Sequence, residues 1–319
     1  MSILASWLAS PPVEAALEIS PGAVSVAVLG GRSTSPVVQG YAVEPLPPGA
    51  VTPSLIATNI ADPDAVTRAL GEACHSLGLK PRRVALVIPD VAAKVSLVRF
   101  GQTPTRRDDL DQLIRWQVKK STPFPVEDAC LTYTPGARSA NGSEFIVMVA
   151  RREIVREYEA VCEKVGMEAG LVDVATFGVI NLFLSSNITT GGDWLVVHMR
   201  PEYTSMAILR RDDMLFFRNR AEGDVEALED VVHQTAMYYQ DRLEGRGFSR
   251  ILLGGIGRLQ GDVDLARRNL EARMGSVVEP IDPTRAAALT SRISATPELT
   301  AMLTPLIGML LRSRREAAA

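Results

Sequence analysis

The sequence predicts an α/β protein of two lobes, and three observations lead to that class. Short runs of strand length, apolar or alternating, recur between longer segments with helical periodicity. The chain also starts a sheet twice, once at Ala15 and again near Trp194, each time with strands joined by short polar turns. Finally, 319 residues at 46% hydrophobic and 22% charged suffice for one large core or two moderate ones, and the two sheet beginnings favour two.

In the first lobe, Ala15–Ile19 and Val24–Val28 read as strands around the turn Ser20-Pro21-Gly22-Ala23. One more strand is predicted over Val37–Val43, within a polar, Pro-rich stretch. Asp62-Pro63 supplies an N-cap and a proline at the first helical position; Val66, Leu70, Ala73 and Leu77 form the buried stripe and Gly78 ends the helix. Val84–Ile88 reads as a buried strand and Lys94–Phe100 as an alternating one. Thr105 is expected to cap the next helix, with Asp108 and Asp109 at its positive end and Lys119 and Lys120 at its negative end. Thr122-Pro123-Phe124-Pro125 stops it. After a strand over Phe145–Ala150, Ile154, Val155, Tyr158, Val161, Cys162 and Val165 make one helical stripe.

The second lobe opens with strands Leu195–Met199, Ser205–Leu209 and Met214–Phe217, followed by a helix from Val225 to about Leu243. Ile251–Leu253 is a strand running into Gly254-Gly255-Ile256-Gly257, with a helical segment after it. The last helix carries Leu299, Met302, Leu303, Leu306 and Leu310, is entered at Thr296-Pro297, and is expected to kink at Pro305.

Composition narrows the function classes. A net charge of -3 with Lys and Arg dispersed gives no general attraction for nucleic acid or anionic lipid. The three cysteines, Cys74, Cys130 and Cys162, are far apart and suit buried thiols in a reducing compartment. With only three histidines and no Cys-x-x-Cys, no metal site is expected. No stretch reaches the ~20 apolar residues of a membrane span and no basic n-region opens the chain, so a cytoplasmic protein is expected. Leu4, Trp7 and Leu8 share one helical face, open to a membrane surface, a partner or the protein's own core.

Two hairpins that each open a lobe, plus a strand entering a Gly-Gly turn, are the parts from which actin-like proteins make a nucleotide cleft. Hairpin N–H groups meet phosphate oxygens, and acidic residues at strand ends hold the metal. On this reading Glu18, Ser20, Gly22, Ser25, Thr204, Gly254, Gly255 and Gly257 are the candidate cleft residues.

Several stretches in the same order resemble the PilM family of actin-like type IV pilus assembly proteins, relatives of the division protein FtsA. They are Leu17-Glu18-Ile19 with its hairpin, Val87-Ile88-Pro89-Asp90, and the helix Leu110–Lys120 leading into Pro123-Phe124-Pro125-Val126-Glu127-Asp128. Val149-Ala150-Arg151-Arg152-Glu153, Gly166–Asp173, Leu252-Leu253-Gly254-Gly255 and Pro305-Leu306-Ile307-Gly308 follow. The resemblance implies an actin-like (ribonuclease H-like) fold: a first lobe over 13–93, an inserted α+β subdomain over 94–168, a completing helix over 169–190, and a reduced second lobe over 191–319. It also implies a cytoplasmic scaffold at the inner-membrane face, binding the cytoplasmic N-terminal segment of a PilN-like membrane protein in a groove beside the inserted subdomain. Phe124, Arg151 and Asp173 are the candidates for that groove.

Against the family pattern, Glu18-Ile19-Ser20 replaces the first Asp-Ile-Gly, and His198-Met199-Arg200 replaces the second. A neutral imidazole is no substitute for an anionic oxygen ligand to Mg²⁺, and Arg200 either obstructs the loop or meets phosphate itself. Only a few residues separate Phe217 from the following helix, too few for the helical subdomain that closes over ATP. The expectation is therefore no catalysis and no required cofactor, with an ATP- and Mg²⁺-binding switch as the alternative.

Overall fold

The computed structural model describes residues 13–318 except 33, 81, 140–141, 187–190, 222–226 and 292, so Leu4, Trp7 and Leu8 lie outside the described residues. The chain runs β1 (Ala15–Ile19), β2 (Ala23–Arg32), β3 (Ser35–Pro45), α1 (Pro63–Ser76) and β4 (Arg83–Ile88), then β5 (Ala93–Phe100), α2 (Arg107–Lys119), β6 (Ala129–Ser139) and β7 (Gly142–Arg151). It continues through α3 (Arg152–Lys164), β8 (Glu168–Val174) and α4 (Ala175–Leu184) to β9 (Asp193–Arg200), β10 (Tyr203–Arg210) and β11 (Asp213–Ala221). The remainder is α5 (Leu228–Arg242), β12 (Arg250–Gly255), α6 (Asp262–Met274), β13 (Val278–Pro280), β14 (Ala288–Leu289) and α7 (Pro297–Ala318).

The strands make three sheets, ordered β14-β3-β2-β1-β4-β8, β11-β10-β9-β12-β13 and β5-β7-β6. In both large sheets a three-strand antiparallel meander is extended by parallel strands beside its first member. Strand alternation decides what each face sees. Leu17, Ile19, Val84, Leu86 and Ile88 face α1 and α3, whereas Ala16, Ala27, Ala85 and Val87 face α4 and α7. The second sheet does the same: Leu195, Val197, Met206 and Ile208 face α5 and α6, while Trp194, Val196, Ala207 and Leu209 join the α4–α7 layer. One apolar core therefore serves both lobes.

Local chemistry explains the elements that sequence reading captured. The Asp62 carboxylate accepts from Ala65 N at 2.9 Å with Pro63 at the first helical position, and Gly78 ends the segment at φ +63°. The α2 entry differs from expectation, since Arg106 occupies the N-cap and makes no side-chain cap bond.

The lobe boundaries move in two places. The small sheet closes at Arg151, and α3 packs Ile154, Val155, Tyr158, Val161 and Cys162 into the first-lobe core, so the inserted subdomain ends about where α3 begins rather than at 168. The second lobe does not run to residue 319: β14 pairs with β3, and α7 lies between the sheets. An apolar helix read from sequence alone carries no mark of which sheet it will cover.

Two contacts fix α7. Gly308 meets α4 where an added Cβ would collide with the Gly178 carbonyl oxygen, and a Cβ on Gly178 would sit 2.5 Å from the Pro305 carbonyl oxygen. Below them, Arg312 Nη1 donates to Asp173 Oδ2 at 2.6 Å, and Val174 N donates to Asp173 Oδ1 at 2.8 Å. Burial pushes the Asp173 carboxyl up to about 6, with Arg312 pulling against it.

Gly308→Ala would gain about 1 kcal/mol in an exposed helix; at this crossing we expect a net loss of about 1–3 kcal/mol through overpacking. It is read as a lowered urea midpoint with unchanged slope. Asp173 adds a pH effect of defined sign. Its folded value lies above the ordinary carboxylate value near 4, so between the two the native state holds the proton more tightly. Its contribution to stability accordingly falls as pH rises from about 4 to about 6 and is flat above, and this component is absent from Asp173→Asn in paired urea titrations.

Candidate functional site in the cleft between the lobes

The alternation that gives both sheets an apolar inner face also aims polar side chains there, at the carboxyl ends of β1 and β9. Glu18 follows Ala16 on β1; His198 and Arg200 follow Val196 on β9; Ser205 precedes Ala207 on β10. All four are buried, together with Asp90 and Thr176.

The Arg200 guanidinium reaches across and pairs with the Glu18 carboxylate through Nη2 and Oε1. Their side chains are 5% and 2% exposed, so the charges meet out of water and neither is available to another ion without being separated from its partner. A second junction centres on Asp90. Thr176 N donates to its Oδ1 at 2.9 Å, and the Thr176 and Ser205 hydroxyls both donate to Oδ2. Asn219 Nδ2 on β11 donates to Ser205 Oγ at 3.2 Å. With the Thr176 proton committed to Asp90, the Nδ1–H of His198 donates to Thr176 Oγ1 at 2.8 Å. Burial lowers His198 to about 4, so it is neutral at physiological pH. Burial raises the Asp90 carboxyl, against which its hydroxyl and amide donors act.

The structure brings most of the predicted cleft residues to this end of the sheets. Ser20 closes its own turn, its hydroxyl donating to Ala23 O at 3.0 Å, while the Gly22 carbonyl accepts from Leu46 N at 2.9 Å. Ser25 is buried on β2 and pairs with Glu18 across the hairpin; Thr204 pairs with Met199. Gly254 and Gly255 continue β12 beside His198 and Met199. Close packing demands these glycines: a Cβ at Gly255, where φ is +114°, would meet the Met199 carbonyl oxygen; one at Gly254 would lie 2.8 Å from Ile281, and one at Gly257 would meet Asp262. Beside the turn is an open cavity of about 630 Å³, lined among others by Ile256, Leu259, Ile281, Pro297 and Ala301. Among the described residues no three His, Cys, Asp or Glu side chains are grouped to hold a metal, and no helix is long and apolar enough to cross a membrane.

The three residues predicted for a partner groove separate. Arg151 Nη1 donates to Ile56 O at 2.7 Å, and Glu157 Oε2 accepts from Asn59 N and Ile60 N, so both pin the 51–61 loop. Beside that loop a cavity of about 300 Å³ is lined by Leu55, Val91, Ala93, Lys94, Val95, Phe217 and Asn219, drawn from the first lobe, the inserted subdomain and the second lobe. Phe124 packs against the subdomain core instead. Asp173 is not on the groove surface; it is 3% exposed and taken by Arg312. Sequence reading did not single out Asp90, Thr176 or Ser205 as a cluster. Period-two alternation places Ser205 on the same inner face as Ala207, but nothing local pairs Asp90 with residues so far along the chain.

Residues 16–244 match the family described as type IV pilus assembly protein PilM. Among solved structures, the chain resembles one from a PilM–PilN type IV pilus biogenesis complex, at TM-score 0.80 and 19% identity, covering 95% of this chain and 99% of that one. It also resembles a Bacteroides thetaiotaomicron protein with an actin-like ATPase fold and unknown function, at TM-score 0.51 and 10% identity, covering 98% and 99%. The structural likeness, at such identities, speaks for the fold. The sequence match spans well over half of the chain, and with the twice-repeated meander and the inserted small sheet it makes this protein a member of the PilM family of type IV pilus assembly proteins, built on an actin-like fold.

Proposed function

We propose that this protein is a non-catalytic scaffold of the type IV pilus assembly platform or of a related secretion machine. It works in the cytoplasm at the inner-membrane face and captures the cytoplasmic N-terminal segment of a PilN-like membrane protein. One observation carries the reading. The first-lobe carboxylate that would orient a metal–nucleotide pair is bound internally by Arg200, whereas the inserted subdomain is complete and borders an open groove.

The chemistry of the cleft supports the absence of hydrolysis. In-line phosphoryl transfer relies on positioned metal and water. Here the second hairpin presents a neutral imidazole and a guanidinium already paired, and Asp90 is enclosed by hydroxyl donors. β11 ends at Ala221 and α5 begins at Leu228, which leaves no length for a helical jaw. Partner capture draws its support from the PilM–PilN complex that this chain resembles in fold. An extended peptide suits the groove, whose walls offer Leu55, Val95 and Phe217 as apolar contacts.

An ATP-binding switch is the second reading, favoured by the 630 Å³ cavity beside the glycine turn. A thermal-shift titration separates the two. A ligand at 100 times its Kd stabilises by about 2.7 kcal/mol, which moves Tm by several degrees in a domain of this size. We expect ATP–Mg²⁺ at millimolar concentration to leave Tm unchanged; a shift of several degrees would favour the switch. Calorimetry with a synthetic peptide of the partner's N-terminal segment tests capture directly, and no heat at high micromolar concentration would sink it. Leu55→Ala, which removes apolar contact worth about 2 kcal/mol, is expected to weaken that peptide about thirtyfold.

A further inference from the structure

We propose that the Glu18–Arg200 pair is an internal clamp, an ion pair built into the chain that bridges the lobes at the carboxyl ends of β1 and β9, and that it sets the width of the groove. The clamp stands on the structure alone, while its effect on peptide binding rests on the partner reading above. The pair is interlobe by construction, because Glu18 ends β1 of the six-stranded sheet and Arg200 ends β9 of the five-stranded sheet. It is also dry, with both side chains at 5% exposure or less. Removing one partner of such a pair leaves a buried charge that must neutralise or be reached by solvent, and it deletes the attraction that draws the two lobe edges together.

The groove borders the same interlobe seam as this pair, and a short polar relay crosses that seam beside it. Its second-lobe wall, Phe217 and Asn219, lies on β11, while its other walls, Leu55, Val91 and Ala93–Val95, belong to the first lobe and the inserted subdomain. Asn219 donates to Ser205, and Ser205 donates to Asp90. Asp90 opens the short 3₁₀ turn Asp90–Ala92, which leads directly into β5. A rotation that separates Arg200 from Glu18 therefore pulls on the bonds that hold β11 beside the start of β5. In the closed arrangement the groove is preformed, and preformed sites bind extended peptides more tightly because less ordering is left to be done at binding. Opening the clamp should weaken the peptide from a distance, without touching it.

The test uses the full chain with nitroxide labels on exposed positions of the two lobes, Glu72→Cys on α1 and Arg268→Cys on α6, in a Cys130→Ser background, since Cys74 and Cys162 are buried. Pulsed electron–electron resonance reads the interlobe distance, and calorimetry reads the affinity for the partner peptide. The clamp predicts a single narrow distance in the parent that ATP–Mg²⁺ does not alter. It predicts a longer, broader distribution in Arg200→Gln, recovery toward the parent in Arg200→Lys, and at least a tenfold loss of peptide affinity in Arg200→Gln only. Should Arg200→Gln not fold, Glu18→Gln removes the same pair with a neutral isostere and carries the same expectations. An unchanged distance distribution in the folded variant would overturn the clamp, as would a parent distribution that moves with ATP–Mg²⁺. If the parent fails to bind the peptide, the partner reading falls and the distance measurement still decides the clamp. If distances open but affinity holds, the link to the groove is overturned.

Discussion

The architecture depends on the crossing of α4 and α7. A two-lobed protein normally needs each sheet to find its own cover, yet here the inner faces of both large sheets are covered by the same pair of helices. That economy works only if the helices come close enough to act as one layer. Gly178 and Gly308 permit it, each presenting no side chain where the opposing backbone passes. The aromatic pair Phe183–Trp194, 5.5 Å between ring centres, then carries the contact from α4 into the second sheet. Because the layer is shared, the lobes are not free bodies on a linker. Any relative motion must slide or rotate about this helix pair, and the carboxyl ends of the strands, away from the packed centre, are where displacement accumulates.

That placement explains the polar chemistry of the cleft. Buried charge is tolerated where it is paired or surrounded by donors. Glu18 has Arg200, Asp173 has Arg312, and Asp90 has two hydroxyls and a backbone amide. His198 is kept neutral, which adds no charge to a region that already holds three carboxyl groups. Two of these pairings, Glu18–Arg200 and Asp90–Ser205, join the two lobes, so they report on closure as much as on local stability. A buried ion pair is poor evidence of stabilisation in itself, since a well-packed apolar pair often does as well. What Glu18 and Arg200 add to the close-packed layer that the two sheets share is a directional charge contact between one strand of each.

Much of the fold was legible because it was local. The first hairpin, the Asp62-Pro63 helix start and the stripe of α3 are each determined by neighbours within a few residues. Two edge strands, β6 and β8, were not legible. β6 contains Pro135 and Gly136 and shifts register there, which an edge strand accommodates because one side of it makes no ladder bonds. In β8, Gly170 breaks the apolar rhythm because the Arg83 side chain lies across its face. The site divided in the same way. Arg200 was recognisable as foreign to a phosphate loop, but its partner was not, because pairing across sheets depends on how two distant hairpins are brought together. Sequence reading assigns Asp173 to a partner groove, and only the return of α7 from the far end of the chain gives it Arg312.

The second hairpin supplies the counter-charge of the first. A carboxylate buried without a counter-charge is penalised by the loss of its hydration. Arg200 reaches Glu18 from the opposite lobe, and both side chains are buried. The two residues meet in space although they lie 182 positions apart in sequence. The neighbouring groove keeps apolar walls from all three parts of the molecule. A charge bridge tethered at both ends to the chain needs no exchangeable ion, and the groove walls that face one another across the same seam are positioned with it in place.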